Sequence, residues 1–192
     1  MSDPSAFSYP SPLEGYENEA PLPEDISEDG KSLKNPQSGV LSKAYETFVD
    51  PLDKGSRGAF DIHIYYMQSQ KEYAKQLYDR IRREFPELRI YRFWEKPIGP
   101  HPYPMFEVNL FTPAQFGAFI PWLVIWRGPL SALVHPNTDE PGLLSENELR
   151  NHTARATWLG ERVPLDVSLF YGWRKKELEE RQKKKDGENG GV

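Results

Sequence analysis

Across the middle of the chain the hydrophobic positions switch repeatedly between alternating and helical spacing. Residues 59–66, AFDIHIYY, alternate apolar and polar side chains and are rich in β-branched and aromatic types, as a half-buried strand requires. Beyond them Tyr73, Leu77, Ile81 and Phe85 recur on one helical face. A helix is therefore predicted from Ser69, with Glu72 completing a capping box and Pro86 as the stop. Residues 88–94, LRIYRFW, predict a second strand, and residues 105–111, MFEVNLF, a third, with the turn PIGPHPYP between them. Thr112, Pro113 and Gln115 open a second helix, striped by Phe116, Phe119, Ile120 and Leu123 and ended at Gly128. A fourth strand is predicted over residues 130–134, a third helix from Ser145 (Glu148 three residues on) to Gly160, and an edge strand over residues 165–171.

The order β-α-β-β-α-β is that of an α+β, ferredoxin-like fold: one antiparallel sheet with its first and third strands central and both helices on one face. A further helix and strand follow at the C-terminal side. The second face of such a sheet is bare unless a dimer partner or extra segments cover it. Outside the core the pattern lapses. Residues 1–56 carry seven of the 18 prolines, an acidic excess and no hydrophobic period. Such a segment buries too little apolar surface to offset its chain entropy, which predicts a disordered or strap-like arm. Within it, Leu41, Tyr45 and Phe48 fall near one helical face, so residues 38–50 are the part expected to dock. Residues 174–192 alternate in charge and end in glycines, predicting a solvated helix end that becomes a charged tail. The folded domain is thus placed at residues 57–173.

Composition narrows the chemistry. The 192 residues include no cysteine, which excludes disulfides, thiolate metal sites and a cysteine nucleophile. A net charge of −5 gives no reason to expect nucleic acid as a partner. The longest apolar run, residues 116–126, is broken by Pro121, and the first residues lack basic and apolar signal regions. A cytoplasmic protein without membrane contact is expected.

Histidine occurs four times, as His63, His101, His135 and His152, all within the patterned core. Strand alternation sends Phe60, Ile62 and Ile64 toward the helices and Asp61, His63 and Tyr65 to the open face. Likewise Phe106, Val108 and Leu110 face the helices, leaving Met105, Glu107 and Asn109 beside His63. An imidazole and a carboxylate on adjoining strands are the beginning of a two-histidine, one-carboxylate site suited to non-heme iron(II). Zinc held by three histidines and water fits the same residues. His101 is pinned between Pro100 and Pro102, His135 follows the fourth strand, and His152 lies on the third predicted helix.

Several motifs together resemble the DOPA 4,5-dioxygenase family of small extradiol dioxygenases. They are Phe60–Tyr66 (FDIHIYY), Pro97–Pro102 (PIGPHP), Met105–Val108 (MFEV) and Pro121-Trp122-Leu123. Arg127–Ser131 (RGPLS), Leu133–Thr138 (LVHPNT), His152-Thr153, Trp158-Leu159-Gly160 and Leu165-Asp166 follow in order. The resemblance covers residues 59–171. It implies a ferredoxin-like homodimer that opens a catechol such as DOPA with O2 at a mononuclear iron(II), with zinc or manganese possible in a purified sample. It points to His63, His101 and His135 as metal ligands, to which the strand pattern adds Glu107. His152 and His101 are the candidates for proton transfer. Arg92, Arg127 and Arg155 are candidates to grip the substrate carboxylate, and Tyr65 to wall the ring. The alternative is a catalytically silent, dimeric ferredoxin-like binding protein whose histidines are structural.

Overall fold

The computed structural model describes residues 7–36 and 38–189, with side chains up to Asp186. The first six residues of the expected arm and the last three of the expected tail lie outside the described residues. The described chain divides into two units, one ending at Lys43 and one beginning at Ala44. The N-terminal unit has little regular structure beyond a small turn closed by an antiparallel bridge between Ile26 and Leu33. In that turn Asp29 Oδ1 accepts hydrogen bonds from the backbone N–H groups of Lys31 and Ser32. The expected arm thus ends earlier than residue 56: Ala44 onward belongs to the larger unit, where Phe48 packs on Phe60 and Phe116 at centroid distances of 5.5 and 6.4 Å.

Among the described residues the larger unit contains five strands and four α-helices in chain order: β1 (Phe60–Tyr65), α1 (Lys71–Glu84), β2 (Arg89–Ile90), β3 (Met105–Leu110), α2 (Pro113–Trp126), β4 (Ser131–Pro136), α3 (Leu144–His152), β5 (Thr157–Leu159) and α4 (Ser168–Asn189). The sheet order is β2-β3-β1-β4-β5 and every pairing is antiparallel. The first four strands have the arrangement expected of a ferredoxin-like α+β fold, with β1 and β3 central. The predicted inward set Ile62, Ile64, Phe106, Val108 and Leu110 forms a fully buried core with Ala74, Leu77 and Ile81 of α1 and Phe119 and Leu123 of α2. The second helix starts as its sequence dictates. Thr112 Oγ1 accepts from the Gln115 N–H, and Pro113 occupies the first turn, where its missing N–H is not needed. Gly128 then turns the chain with φ of 57°, and a Cβ there would collide with the Tyr73 ring.

Four expectations are corrected. The second strand pairs regularly only at Arg89–Ile90, then rejoins β3 as a single bridge between Trp94 and Met105. Between the two contacts β2 has one residue more than β3, a bulge that rolls Phe93 inward to stack on Tyr66 and Phe106. The first helix is entered through a 3-10 turn at Gln68–Gln70, and no Ser69–Glu72 capping box forms; the Gln70 side chain instead accepts from the Met67 N–H. The third helix stops at His152, and Thr157–Leu159 becomes strand β5, because β4 offers a free edge for these β-branched and aromatic residues. Ser145 does not cap that helix; its hydroxyl donates to Glu177 of α4. The predicted edge strand over residues 165–171 leads instead into α4. Asp166 Oδ1 accepts from the Ser168 N–H and hydroxyl, and Phe170, Trp173 and Glu177 then meet α3 and its surroundings at helical spacing.

These corrections share one consequence. The second face of the sheet is covered by the chain itself: by residues 94–103, α3, the loop after β5 and the start of α4. Tyr65, Met105 and Leu133 are buried there with Val163, against Trp94, Ile98, Tyr103, Ala156, Trp158 and Leu165. No dimer partner is required to cover it. No helix of the described residues is long and apolar enough to cross a membrane.

The core on the helix side predicts a clear cost for truncation. Phe106 is fully buried against Tyr78 and Phe93. Phe106→Ala should lower the unfolding free energy by about 3–5 kcal/mol in urea titrations; a loss under about 1 kcal/mol would contradict this packing.

Candidate metal centre

Alternation on β1 turns Asp61, His63 and Tyr65 onto the covered face, and register assembles the rest. His63 lies opposite Glu107 of β3, and Asp61 lies opposite His135 of β4. His152 arrives from the last residue of α3, which packs over this face. His101 is carried by a tight turn in which Ile98 and His101 exchange backbone hydrogen bonds, with Gly99 at φ of 56°. That turn is fastened to the start of α4 by the Asp166 N–H donating to the Pro100 carbonyl at 2.9 Å.

All four imidazoles are buried and form one cluster. Ring centroids are 4.0 Å apart for His63 and His101, 5.1 Å for His63 and His135, and 3.9 Å for His135 and His152. His63, His135 and His152 each present one nitrogen to a common space, with the three atoms within 4.8 Å of one another. The hydrogen bonds on the far sides assign the tautomers. His135 Nδ1 lies 3.0 Å from the Pro136 carbonyl and His152 Nδ1 2.9 Å from the Glu148 carbonyl. A carbonyl only accepts, so both Nδ1 atoms carry the proton and both Nε2 lone pairs are left for the cluster. His63 Nε2 is 3.0 Å from His135 Nε2. If it donates there, its own Nδ1 lone pair remains buried without a partner, and that atom has no hydrogen bond among the described residues. A cation removes the conflict: all three Nε2 lone pairs bind it, and His63 Nδ1 takes the proton on the side of Glu107, whose Oε2 is 3.8 Å away. The spacing agrees, since two nitrogens at right angles on an ion with bonds of about 2.1 Å stand roughly 3.0 Å apart. The residues therefore fit a divalent metal of the imidazole-binding kind.

Carboxylates surround this centre without entering it. Glu107 is held by Asn109, whose Nδ2 donates to Glu107 Oε1 at 2.7 Å and to Asp61 Oδ1 at 2.5 Å. Arg89 Nε donates in turn to Asn109 Oδ1. Behind His152, Glu148 Oε2 is 3.7 Å from Nδ1, while Arg57 binds Glu148 Oε1 at 2.5 Å and Asn137 Oδ1 at 2.9 Å. Desolvation, reinforced by Glu107, pushes Asp61 up to about 7, and desolvation raises Glu107 as well. Glu148 was visible in the sequence only as a capping candidate; its place four residues before His152, on the same helical face, is the signal for this role.

The expected site residues divide into three groups. His63, His135 and His152 converge. His101 stands beside them, its Nδ1 2.6 Å from Tyr65 Oη rather than among the converging nitrogens. Glu107 lies behind His63. Each of the three arginines expected at the substrate has a partner within the fold. Arg92 stacks on Trp94 at 3.7 Å, Arg127 Nη1 donates to the Leu130 carbonyl at the α2–β4 turn, and Arg155 forms a two-point ion pair with Glu140 at 2.5 and 2.9 Å.

Burial also sets an acid response. Desolvation holds His63 well below its ordinary value and lowers His135 to about 4 and His101 and His152 to about 3, with neighbouring rings adding to the shift. An unfolded histidine takes its proton near pH 6.5. Below that pH the unfolded chain binds more protons than the folded one, so stability falls with acidity. Asp61 acts in the opposite sense, its contribution fading as pH rises toward 7, but one or two carboxyls oppose four rings. The unfolding temperature of chelator-treated protein should drop steadily from pH 6.5 to 4; a flat or rising profile would show that the rings are not buried together.

The family model for the Dopa 4,5-dioxygenase family matches residues 60–169. An uncharacterized 21.2 kDa protein of Botryotinia fuckeliana is 69% identical over 173 residues, covering 88% of this chain and 94% of that protein. A DOPA 4,5-dioxygenase of Amanita muscaria is 30% identical over 146 residues, covering 71% of this chain but 60% of that enzyme. The crystal structure of a candidate dioxygenase from Nostoc punctiforme matches with a TM-score of 0.53 and 30% identity, over 60% of this chain and 92% of that one. With its five-stranded antiparallel sheet, its buried histidines and a family match spanning more than half its length, the chain belongs to the Dopa 4,5-dioxygenase family.

Proposed function

We propose that this protein is an extradiol ring-cleaving dioxygenase that opens a catechol such as DOPA with O2, at one non-heme iron(II) held by His63, His135 and His152. The observation that carries the reading is the convergence of three buried imidazole nitrogens, two of them lone pairs by their Nδ1 hydrogen bonds, with a third ring whose Nδ1 stays without a hydrogen bond when its Nε2 donates to His135. The chemistry supplied by iron(II) in this set is Lewis acidity toward the catechol oxygens and electron exchange with O2.

The chain's own residues do the remaining work. The Pro136 and Glu148 carbonyls fix the proton on Nδ1 of His135 and His152, and so keep Nε2 free for the ion. Glu107, positioned by Asn109, stands 3.8 Å from His63 Nδ1 and favours a proton there by its charge. His101 is the acid–base residue. In the tautomer whose Nδ1–H donates to Tyr65 Oη, Nε2 is left to accept a catechol proton and return it to the opened product. Burial keeps this ring neutral, so accepting is its first act. Of the two roles expected of His101 from the sequence, this reading keeps proton transfer and gives its place among the ligands to His152. Helices α3 and α4, with the Phe170 ring 5.0 Å from His152, keep bulk water away from the reacting groups.

Protein loaded anaerobically with iron(II) should consume one O2 per DOPA and, with 18O2, place both labelled atoms in the yellow ring-opened product. His63→Ala, His135→Ala and His152→Ala should each weaken iron binding by at least about a hundredfold while the circular dichroism spectrum stays that of the folded protein. His101→Ala should retain stoichiometric iron and lose about 10²–10⁴-fold in kcat. Stoichiometric iron in His152→Ala, or its loss in His101→Ala, would reverse these two assignments. A folded, iron-loaded protein inert toward every catechol tested would favour the silent binding protein instead.

A further inference from the structure

Glu148 offers the His152 ring two acceptors. Its backbone carbonyl takes the Nδ1 proton at 2.9 Å, while its carboxylate Oε2 stands 3.7 Å from the same nitrogen. A hydrogen bond to a charged acceptor is the stronger of the two kinds, so a carboxylate free to move would take that proton from the carbonyl. Glu148 is not free. Arg57 Nη2 donates one hydrogen to Glu148 Oε1 at 2.5 Å and the other to Asn137 Oδ1 at 2.9 Å. The carboxylate is anchored at one oxygen, and the other is kept outside hydrogen-bonding range of the ring.

The guanidinium is held in place through its own backbone. The Asn137 N–H donates to the Ala59 carbonyl at 2.8 Å, its side-chain amide donates to the Gly58 carbonyl at 3.1 Å, and its carbonyl accepts from the Asp53 N–H at 2.9 Å. The Arg57 carbonyl accepts from Arg89 Nη2. Gly58 then turns the chain with φ of 90°, and a Cβ there would come within 3.3 Å of the Leu110 carbonyl. The Arg57 side chain is half-exposed whereas that of Glu148 is largely buried, so this contact lies outside the hydrophobic core. A carboxylate bonded to the Nδ1–H of a ligating imidazole makes Nε2 a stronger donor. We propose that Arg57 is a positioning residue of the metal centre: by anchoring Glu148 it leaves the His152 proton on the backbone carbonyl, and so limits how strongly that ring holds the ion. A ring that donates less leaves the ion more of its Lewis acidity for an oxygen ligand. Loss of Arg57 therefore tightens the site, the reverse of what loss of a brace would do. The assignment rests on the metal-centre reading and involves no catechol.

Zinc(II) affinity of the full-length protein, measured by competition with a chelating indicator, tests this. Arg57→Met should tighten zinc binding by about tenfold. It should also move the His152 Nδ1 proton resonance of the zinc-loaded protein downfield, as a carboxylate replaces a carbonyl. Arg57→Lys, which keeps the charge, should bring both readings back toward wild type. In the Glu148→Gln background, Arg57→Met should leave affinity unaltered, because no carboxylate is released. Weakened or unchanged zinc binding in folded Arg57→Met, or an unmoved resonance, would overturn the proposal. Tightening that persists without the Glu148 carboxylate would overturn it too, since Arg57 would then act by its own charge alone. If Arg57→Met does not fold, Arg57→Gln, which keeps a donor for Asn137 and lacks the charge, is held to the same criteria. Wild-type protein that takes up neither zinc nor iron would overturn the metal centre and this assignment together. Protein that shows these shifts yet cleaves no catechol would lose the ring-cleavage reading alone.

Discussion

Three imidazoles buried within contact of one another, two of them with the proton fixed on the outer side by backbone carbonyls, impose the constraint around which this fold is arranged. Removing a polar group from water costs free energy unless it finds a partner, and lone pairs facing lone pairs are no partners. The surroundings are what one would build to hold such a cluster. Backbone carbonyls lock two rings, a strand carboxylate stands behind the third, and the Phe170 ring packs against His152. The helix-side core, by comparison, is ordinary packing. It supplies rigidity to β1, β3 and β4, and so fixes the spacing between His63, Glu107 and His135.

The same constraint accounts for the charged groups behind the rings. Asp61, Glu107 and Glu148 are largely removed from water, and only Arg57 and Arg89 reach them through direct or amide-mediated hydrogen bonds. Three neutral ligands leave a dication with its full charge, so carboxylates one layer out are the compensation this centre calls for. Asn109 and Asn137 act as spacers that keep the carboxylates apart without further charge.

Much of this was legible in the chain, and the parts that were not have identifiable causes. Alternation alone placed His63, Tyr65 and Glu107 on one face, because a central strand has no freedom in which face a residue takes. His135 required β4 to run on as far as Pro136, two residues past the apolar run. His152 was assigned to the middle of a helix that in fact ends there; the residues beyond it were drawn to the free edge of β4, a tertiary effect invisible to local periodicity. The alternating run before Phe170 misled in the other direction, since the Asp166 cap and the packing of α4 on α3 outweighed its strand-like pattern.

The hydrogen bond from Asp166 to Pro100 joins two loops that otherwise belong to different parts of the chain. One carries His101; the other leads directly into α4. The His101 ring therefore takes its place from two distant stretches of chain at once, and the seating of α4 bears on it through one backbone bond.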